Sequence, residues 1–180
     1  MNPVLAYIDA SDHRISDRVW AWRPPRLVRL WMLWASRLGD GWLWAALALM
    51  LLAGGDPGHR LIAAGALAGG VASALLVPLK RRFHRGRPCA AGLHPLYNVG
   101  PLQYLAADRF SFPSGHSMNA FAIASAIGLG LPPLLVPLLV IAASVAASRV
   151  ALGLHYASDV LVGSLLGLVI GSAIFVVILG

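Results

Sequence analysis

The chain of 180 residues is 58% hydrophobic and only 12% charged, with a mean hydropathy of +0.74. Soluble domains carry about 25% charged residues, so this composition excludes an ordinary water-soluble protein and favours one membrane-embedded unit. The net charge of +7 does not indicate a nucleic-acid partner, because the basic residues lie between apolar runs and form no basic amphipathic helix with readout residues. The single cysteine, Cys89, excludes an internal disulfide.

The first part of the chain, residues 1–37, is rich in arginine and begins a cluster of tryptophans. All six tryptophans lie between Trp20 and Trp44. Tryptophan favours the level of the lipid headgroups, and arginine can extend its charge to water while its stem contacts apolar groups. We therefore predict an N-terminal interfacial arm over residues 1–37, followed by a membrane-embedded domain over residues 38–180.

The rest of the chain contains about five apolar segments that reach, or nearly reach, the ~20 residues needed to span a bilayer. In lipid, unpaired backbone groups are costly, so spanning segments must be helical or form a closed barrel. We predict an all-α, polytopic membrane helix bundle of about five spans plus the interfacial helix. The predicted spans are residues 38–54, 61–79, 114–131, 134–150 and 158–179.

Small residues spaced four apart recur in the second and fifth predicted spans. This spacing lets helix backbones approach closely and predicts two packing seams. The residues concerned are Gly65, Gly69 and Ser73, and Gly163, Gly167 and Gly171.

Three short polar blocks interrupt the apolar sequence and have the patterns K-x6-R-P, P-S-G-H and S-R-x5-H-x3-D. If the five spans alternate in direction, all three blocks lie at the same membrane face, although the hydropathy assignment made no use of them. The blocks comprise Lys80, Arg87 and Pro88; Pro113, Ser114, Gly115 and His116; and Ser148, Arg149, His155 and Asp159.

These blocks supply what phosphoryl transfer requires, which is mainly positioning and electrostatic stabilisation. Lys80, Arg87 and Arg149 provide three cations, and arginine offers a planar fork suited to phosphate. Ser114 can cap the helix that follows it, and Gly115 permits close backbone approach. The N–H groups of that helix start would then point at the anion.

The two histidines of the blocks are candidates for covalent and acid–base catalysis. His155 and Asp159 are four residues apart, so a carboxylate can orient the imidazole across one helical turn. Neutral imidazole is a competent nucleophile towards phosphorus, and His116 would protonate the departing alkoxide. Lysine and arginine surround these histidines and would repel a cation, so we expect no metal and no cofactor.

Other basic residues follow the second predicted span without belonging to a motif. Basic residues that flank a membrane span are usually anchors. This interpretation applies to Arg81, Arg82 and Arg85.

In this order the three blocks resemble the signature of the type 2 phosphatidic acid phosphatase superfamily, which also includes vanadium haloperoxidases and bacterial undecaprenyl-diphosphate phosphatases. The resemblance covers about residues 38–175. It implies that the three cations and the Ser-Gly turn bind phosphate, and that catalysis needs no metal. It further implies that His155 forms a phosphohistidine, that Asp159 is its partner, and that His116 is the acid.

The preferred interpretation is an integral-membrane lipid phosphatase, and the sequence leaves its substrate open. Polyprenyl diphosphate, phosphatidic acid and phosphatidylglycerophosphate all fit, and we expect the loop over residues 89–112 to select among them. A vanadate-dependent haloperoxidase is disfavoured because that branch is soluble. A non-catalytic transporter or scaffold would not need both histidines and three cations on one face.

The expected location is the cell membrane, as a multi-pass protein of a bacterial inner membrane, with membrane lipids as neighbours. The excess of lysine and arginine on the motif-bearing face favours a cytoplasmic site, whereas the family resemblance implies an outward-facing site for most bacterial members. The sequence leaves both this orientation and the oligomeric state open.

Overall fold

The computed structural model describes residues 3–22, 24–88 and 109–180, which contain seven α-helices and no β-strand. A short 3-10 turn, Pro132–Leu134, precedes the sixth helix. The predicted all-α fold is confirmed. In chain order the helices are α1 (Pro3–Ala21), α2 (Arg26–Leu38), α3 (Trp42–Leu52), α4 (Gly55–Phe83), α5 (Gly115–Gly130), α6 (Leu135–Ala151) and α7 (Ala157–Ile178).

Three helical segments of the described chain are long and apolar enough to cross a membrane. They are α4, with 29 residues, the 3-10 turn joined to α6, with 20, and α7, with 22. They coincide with the second, fourth and fifth predicted spans. The segment predicted over 38–54 is not one continuous helix, because Gly41 has a φ of +109° and separates α2 from an α3 of only 11 residues.

Helix α5 occupies the centre of the bundle, between α4 and α7. Apart from His116 and Asn119, its residues are apolar or small on every side, which is typical of a buried helix. On the α4 side, a Cβ added to Gly65 would lie 2.8 Å from Ile127, and one added to Gly69 would lie 3.2 Å from Ile123. Ser73 completes this seam by exchanging hydrogen bonds with Asn119 at 3.2–3.3 Å.

The contact between α5 and α7 is closer still, because it brings backbone against backbone. A Cβ added to Gly163 would lie 2.6 Å from the carbonyl oxygen of Ser114, and one added to Gly167 would lie 2.3 Å from that of Met118. No side chain fits at either distance, so the predicted glycine seam is confirmed. The seam places the first turn of α7 beside the first turn of α5, where the Ser114 amide donates to the carbonyl of Asp159 at 3.0 Å.

The N-terminal region comprises two helices, α1 and α2, that pack on the rest of the bundle. Helix α2 lies against α6, and α1 contacts both α6 and α7. Each also carries exposed apolar side chains, such as Tyr7 on α1 and Leu27, Trp31 and Trp34 on α2. Both helices therefore present one face to the bundle and another to their surroundings.

We predict that Gly167→Ala lowers the stability of the folded bundle. The added methyl would overlap the backbone of α5, and overpacking of this kind costs about 1–3 kcal/mol. Unfolding of the detergent-solubilised protein by heat or denaturant measures the loss. Gly70→Ala on α4 is the matched control, since a Cβ there meets nothing within 4 Å. Equal stability of the two variants would contradict the close packing of α5 and α7.

Candidate active site

A cavity of about 550 Å³ opens between α4, α5 and the junction of α2 with α3. One end brings together five of the residues selected from the sequence, which are Lys80, Arg87, Gly115, His116 and His155. Further along α4 and α5 the wall is mainly apolar, with Trp44, Gly69 and Ile123, and it includes the hydrogen-bonded pair Ser73 and Asn119. The cavity therefore combines a cationic end bearing two histidines with a mainly apolar end.

Two of the predicted cations lie at or just beyond the end of α4 and are largely buried. Lys80, in the last turn of the helix, donates from Nζ to the carbonyl of Phe110 at 3.3 Å. Arg87 is only 7% exposed. Its Nη1 donates to the carbonyl of Leu154 at 3.1 Å and lies 3.4 Å from Nε2 of His155. The α4 end thus places positive charge beside the candidate nucleophile.

The third predicted cation, Arg149, is buried in the last turn of α6. Its Nη1 donates to Oγ of Ser36 on α2 at 2.6 Å. Arg149 is not among the described residues that line the cavity, although its charge acts on His155. This arginine therefore links the N-terminal region to the site.

The Ser-Gly-His turn starts α5 as the sequence predicts. Oγ of Ser114 accepts from the amide and the hydroxyl of Ser117, at 3.5 and 3.0 Å, which is a helix N-cap. Gly115 lines the cavity, and a Cβ there would lie 2.6 Å from Leu76. The open amides of a helix start favour an anion, so this end of the cavity is suited to phosphate.

His155 lies in the loop between α6 and α7 and is 1% exposed. Its Nδ1 is 3.6 Å from Oδ2 of Asp159, which is longer than a good hydrogen bond. Burial, reinforced by the charges of Arg87 and Arg149, lowers the pKa of His155 to about 3. The imidazole is therefore neutral near pH 7, with a lone pair available for bonding.

Asp40 is a site residue that the motifs do not identify. Its Oδ1 lies 2.8 Å from Nε2 of His116, and it lines the cavity from the junction of α2 and α3. The adjacent Gly39 permits this approach, because a Cβ there would lie 2.9 Å from the imidazole ring. An aspartate inside an apolar segment is itself a functional signal and could have identified this residue.

The interpretation of Arg85 as a membrane anchor is wrong. Its guanidinium pairs with Asp159 at 2.9 Å, with Asp12 at 2.8 Å and with Asp9 at 3.1 Å, and it lies 4.2 Å from the ring centre of Tyr156. Burial alone would lower its pKa, but the carboxylates of Asp159 and Asp12 raise it overall. The segment that follows α4 therefore contributes a fourth cation, one that contacts the carboxylate beside His155.

Arg81 and Arg82, by contrast, are exposed at the end of α4, as expected of anchors. Across the described ranges, no group of three histidine, cysteine, aspartate or glutamate side chains could hold a metal ion. The loop expected to select the substrate, residues 89–112, lies outside the described residues up to position 108.

Curated relatives match part of this chain. Decaprenylphosphoryl-5-phosphoribose phosphatase of Mycobacterium tuberculosis is 39% identical over 108 residues, which are 58% of this chain and 54% of that protein. Lipid A 1-phosphatase of Rhizobium etli is 36% identical over 89 residues, which are 49% of this chain and 38% of that protein. The matches thus span about half, or less, of the length of these relatives.

Two solved structures share the fold over most of their length. The PAP2-type phosphatidylglycerolphosphate phosphatase of Bacillus subtilis superposes with a TM-score of 0.71 at 29% identity, covering 97% of this chain and 85% of that one. LpxE of Aquifex aeolicus has a TM-score of 0.71 at 26% identity, covering 89% and 92%. The PAP2 superfamily model matches residues 60–179, a range that holds all three sequence blocks, and the chain therefore belongs to the PAP2 superfamily.

Proposed function

We propose that this protein is an integral phosphatase of the cell membrane that hydrolyses the terminal phosphate of a lipid phosphate or diphosphate without a metal. The observation that carries the proposal is the two-ended cavity. Cations and two histidines meet at one end, and apolar side chains line the other. Such a cavity suits a molecule with an anionic head and a hydrocarbon tail.

The phosphate binds at the cationic end in this account. Lys80 and Arg87 compensate its charge from the α4 side, and Arg149 adds charge from α6. The amides that follow Ser114 at the start of α5, with Gly115 leaving the backbone accessible, supply further donors. These groups are held before substrate arrives, so they stabilise the charge that develops in the transition state.

Hydrolysis then proceeds in two steps through a phosphohistidine. Nε2 of His155 attacks phosphorus, and the bond from phosphorus to the lipid oxygen breaks while His116 gives that oxygen a proton. In the second step His116 takes a proton from water, which attacks the phosphohistidine and releases inorganic phosphate. Asp159 orients His155, and Asp40 stabilises the protonated form of His116 through their 2.8 Å contact.

The substrate class follows from the apolar end of the cavity and from the relatives. The relatives described above are named as phosphatases of decaprenylphosphoryl-5-phosphoribose, of lipid A and of phosphatidylglycerolphosphate. We infer that this chain acts on a polyprenyl or glycerolipid phosphate or diphosphate whose headgroup reaches the membrane face. No cofactor is required by this chemistry.

Phosphate release from a panel of lipid phosphates, by purified protein in detergent with EDTA, tests the proposal. We expect EDTA to leave turnover unchanged and His155→Ala to abolish it, since no other described side chain can replace the nucleophile. His59→Ala is the matched control, because His59 is exposed at the opposite end of α4. If a folded His155→Ala protein kept more than about a tenth of the activity, His155 would not be the nucleophile. Removal of a nucleophile typically lowers the rate by far more than tenfold.

We predict that Arg87→Lys impairs kcat/KM although the charge is kept. Lysine cannot hold the Leu154 carbonyl and also offer a planar fork to phosphate. Loss of one hydrogen bond to a charged group costs about 1.5–3 kcal/mol, or about 10–100-fold. Arg82→Lys, exposed on the same helix end, should change little. Steady-state kinetics decide, and equal losses in both variants would indicate a diffuse basic surface in place of a defined phosphate site.

A further inference from the structure

A continuous set of largely buried polar contacts joins the first helix of the chain to the carboxylate beside His155. Asp12 of α1 is 2% exposed, and its Oδ2 accepts from Nη2 of Arg85 at 2.8 Å. The other arm of the same guanidinium, Nη1, donates to Oδ1 of Asp159 at 2.9 Å. A single arginine thus connects α1 to α7.

Asp12 also binds the start of α7 directly. Its Oδ1 accepts from the amide of Ser158 at 2.9 Å, and its Oδ2 accepts from the hydroxyl of the same residue. The first amides of a helix have no partner within the helix, and negative charge is favoured at that end. Asp12 therefore caps α7 from a helix that is 146 positions distant in sequence.

Arg85 determines which partners the two carboxylate oxygens of Asp159 have. Because Oδ1 is held by Arg85, Oδ2 remains to accept from the amide of Tyr156 at 2.9 Å and to face Nδ1 of His155 at 3.6 Å. The same guanidinium lies over the ring of Tyr156, the residue that follows His155. Two buried carboxylates without this cation would carry a large desolvation penalty.

We propose that Arg85 is a positioning residue for His155 and Asp159, and that Asp12 of α1 holds Arg85 in place, so that docking of the N-terminal helix completes the active site. Arg85 acts through Asp159 and does not itself contact the substrate. The inference rests on the phosphatase function proposed above. Removal of either partner should slow the chemical step and leave phosphate binding by Lys80 and Arg87 intact.

The test compares kcat, KM and inhibition by inorganic phosphate in full-length variants. Arg85→Ala should lower kcat about 10–100-fold, as loss of a group that orients a reactive histidine typically does. KM and the phosphate inhibition constant should stay within about twofold, because Arg85 does not contact the substrate. Asp12→Asn should lower kcat in the same manner but less, and Arg85→Lys should recover part of the loss.

Two exposed residues of the same elements serve as controls. Arg82 is exposed at the end of α4, near Arg85 in the chain, and Asp17 is exposed on α1 beyond Asp12. The control variants are Arg82→Ala and Asp17→Asn. Both should behave as the unmodified protein. In the double variant Asp12→Asn/Arg85→Ala, kcat should be no lower than in Arg85→Ala alone, because residues of one network are not additive.

Near-normal kcat in Arg85→Ala would overturn the proposal, as would losses that multiply in the double variant. A fall in kcat that only follows a fall in the folded fraction, measured by thermal unfolding in each variant, would also overturn it by making the network merely structural. If the unmodified protein turned over no lipid phosphate, the proposed function would fail and this inference with it. Activity in the unmodified protein together with an unaffected Arg85→Ala protein would count against this inference alone.

Discussion

The close contact of α7 with α5 determines where the reactive groups lie. Two rigid helices that touch along glycines have one possible separation, because any Cβ at Gly163 or Gly167 would enter the backbone of α5. That separation sets the Ser114 cap against the first turn of α7. The packing of the two helices therefore brings the start of α5 next to the start of α7, and His155 lies in the loop that leads into α7.

Burial of charge is the second constraint on this region. Within the described chain, several arginine, lysine and aspartate side chains are almost fully removed from solvent, which is tolerated only where each has a partner of good geometry. Asp159 is satisfied by Arg85 and by the amide of Tyr156, and Asp12 by Arg85 and by the amide of Ser158. A cluster of this kind is held by its own contacts, and it places Lys80 and Arg87 beside the cavity.

Much of this organisation is predictable from sequence, because some signals are local. The capped start of α5 follows from a Pro-Ser-Gly turn, the seam of α7 from glycines spaced by four, and the closeness of His155 to Asp159 from their separation of four residues, although His155 lies in the loop before α7. Hydropathy, however, averages over residues and misses backbone breaks. The segment over 38–54 is apolar enough to suggest one span. The chain turns at Gly41, however, so the segment contains only the last residue of α2 and the 11-residue helix α3.

The contacts that sequence reasoning missed all join residues far apart in the chain. Asp40 and His116 are 76 positions apart, and Arg85 and Asp12 are 73 apart. No periodicity connects such pairs, and Asp12 is one of three aspartates in an arginine-rich arm, where it is indistinguishable from a solvated charge. Its role becomes visible only when α1 meets the start of α7.

The identity of the phosphorylated residue tests the central claim most directly. An aryl phosphate whose leaving group needs no proton can be mixed with His116→Ala protein, quenched in alkali and mapped by mass spectrometry. With the leaving group independent of His116, the first step should proceed while the water step, which needs His116 as base, is slowed. The account predicts that phosphate accumulates on His155. Phosphate on another residue, or none bound to the protein, would contradict it.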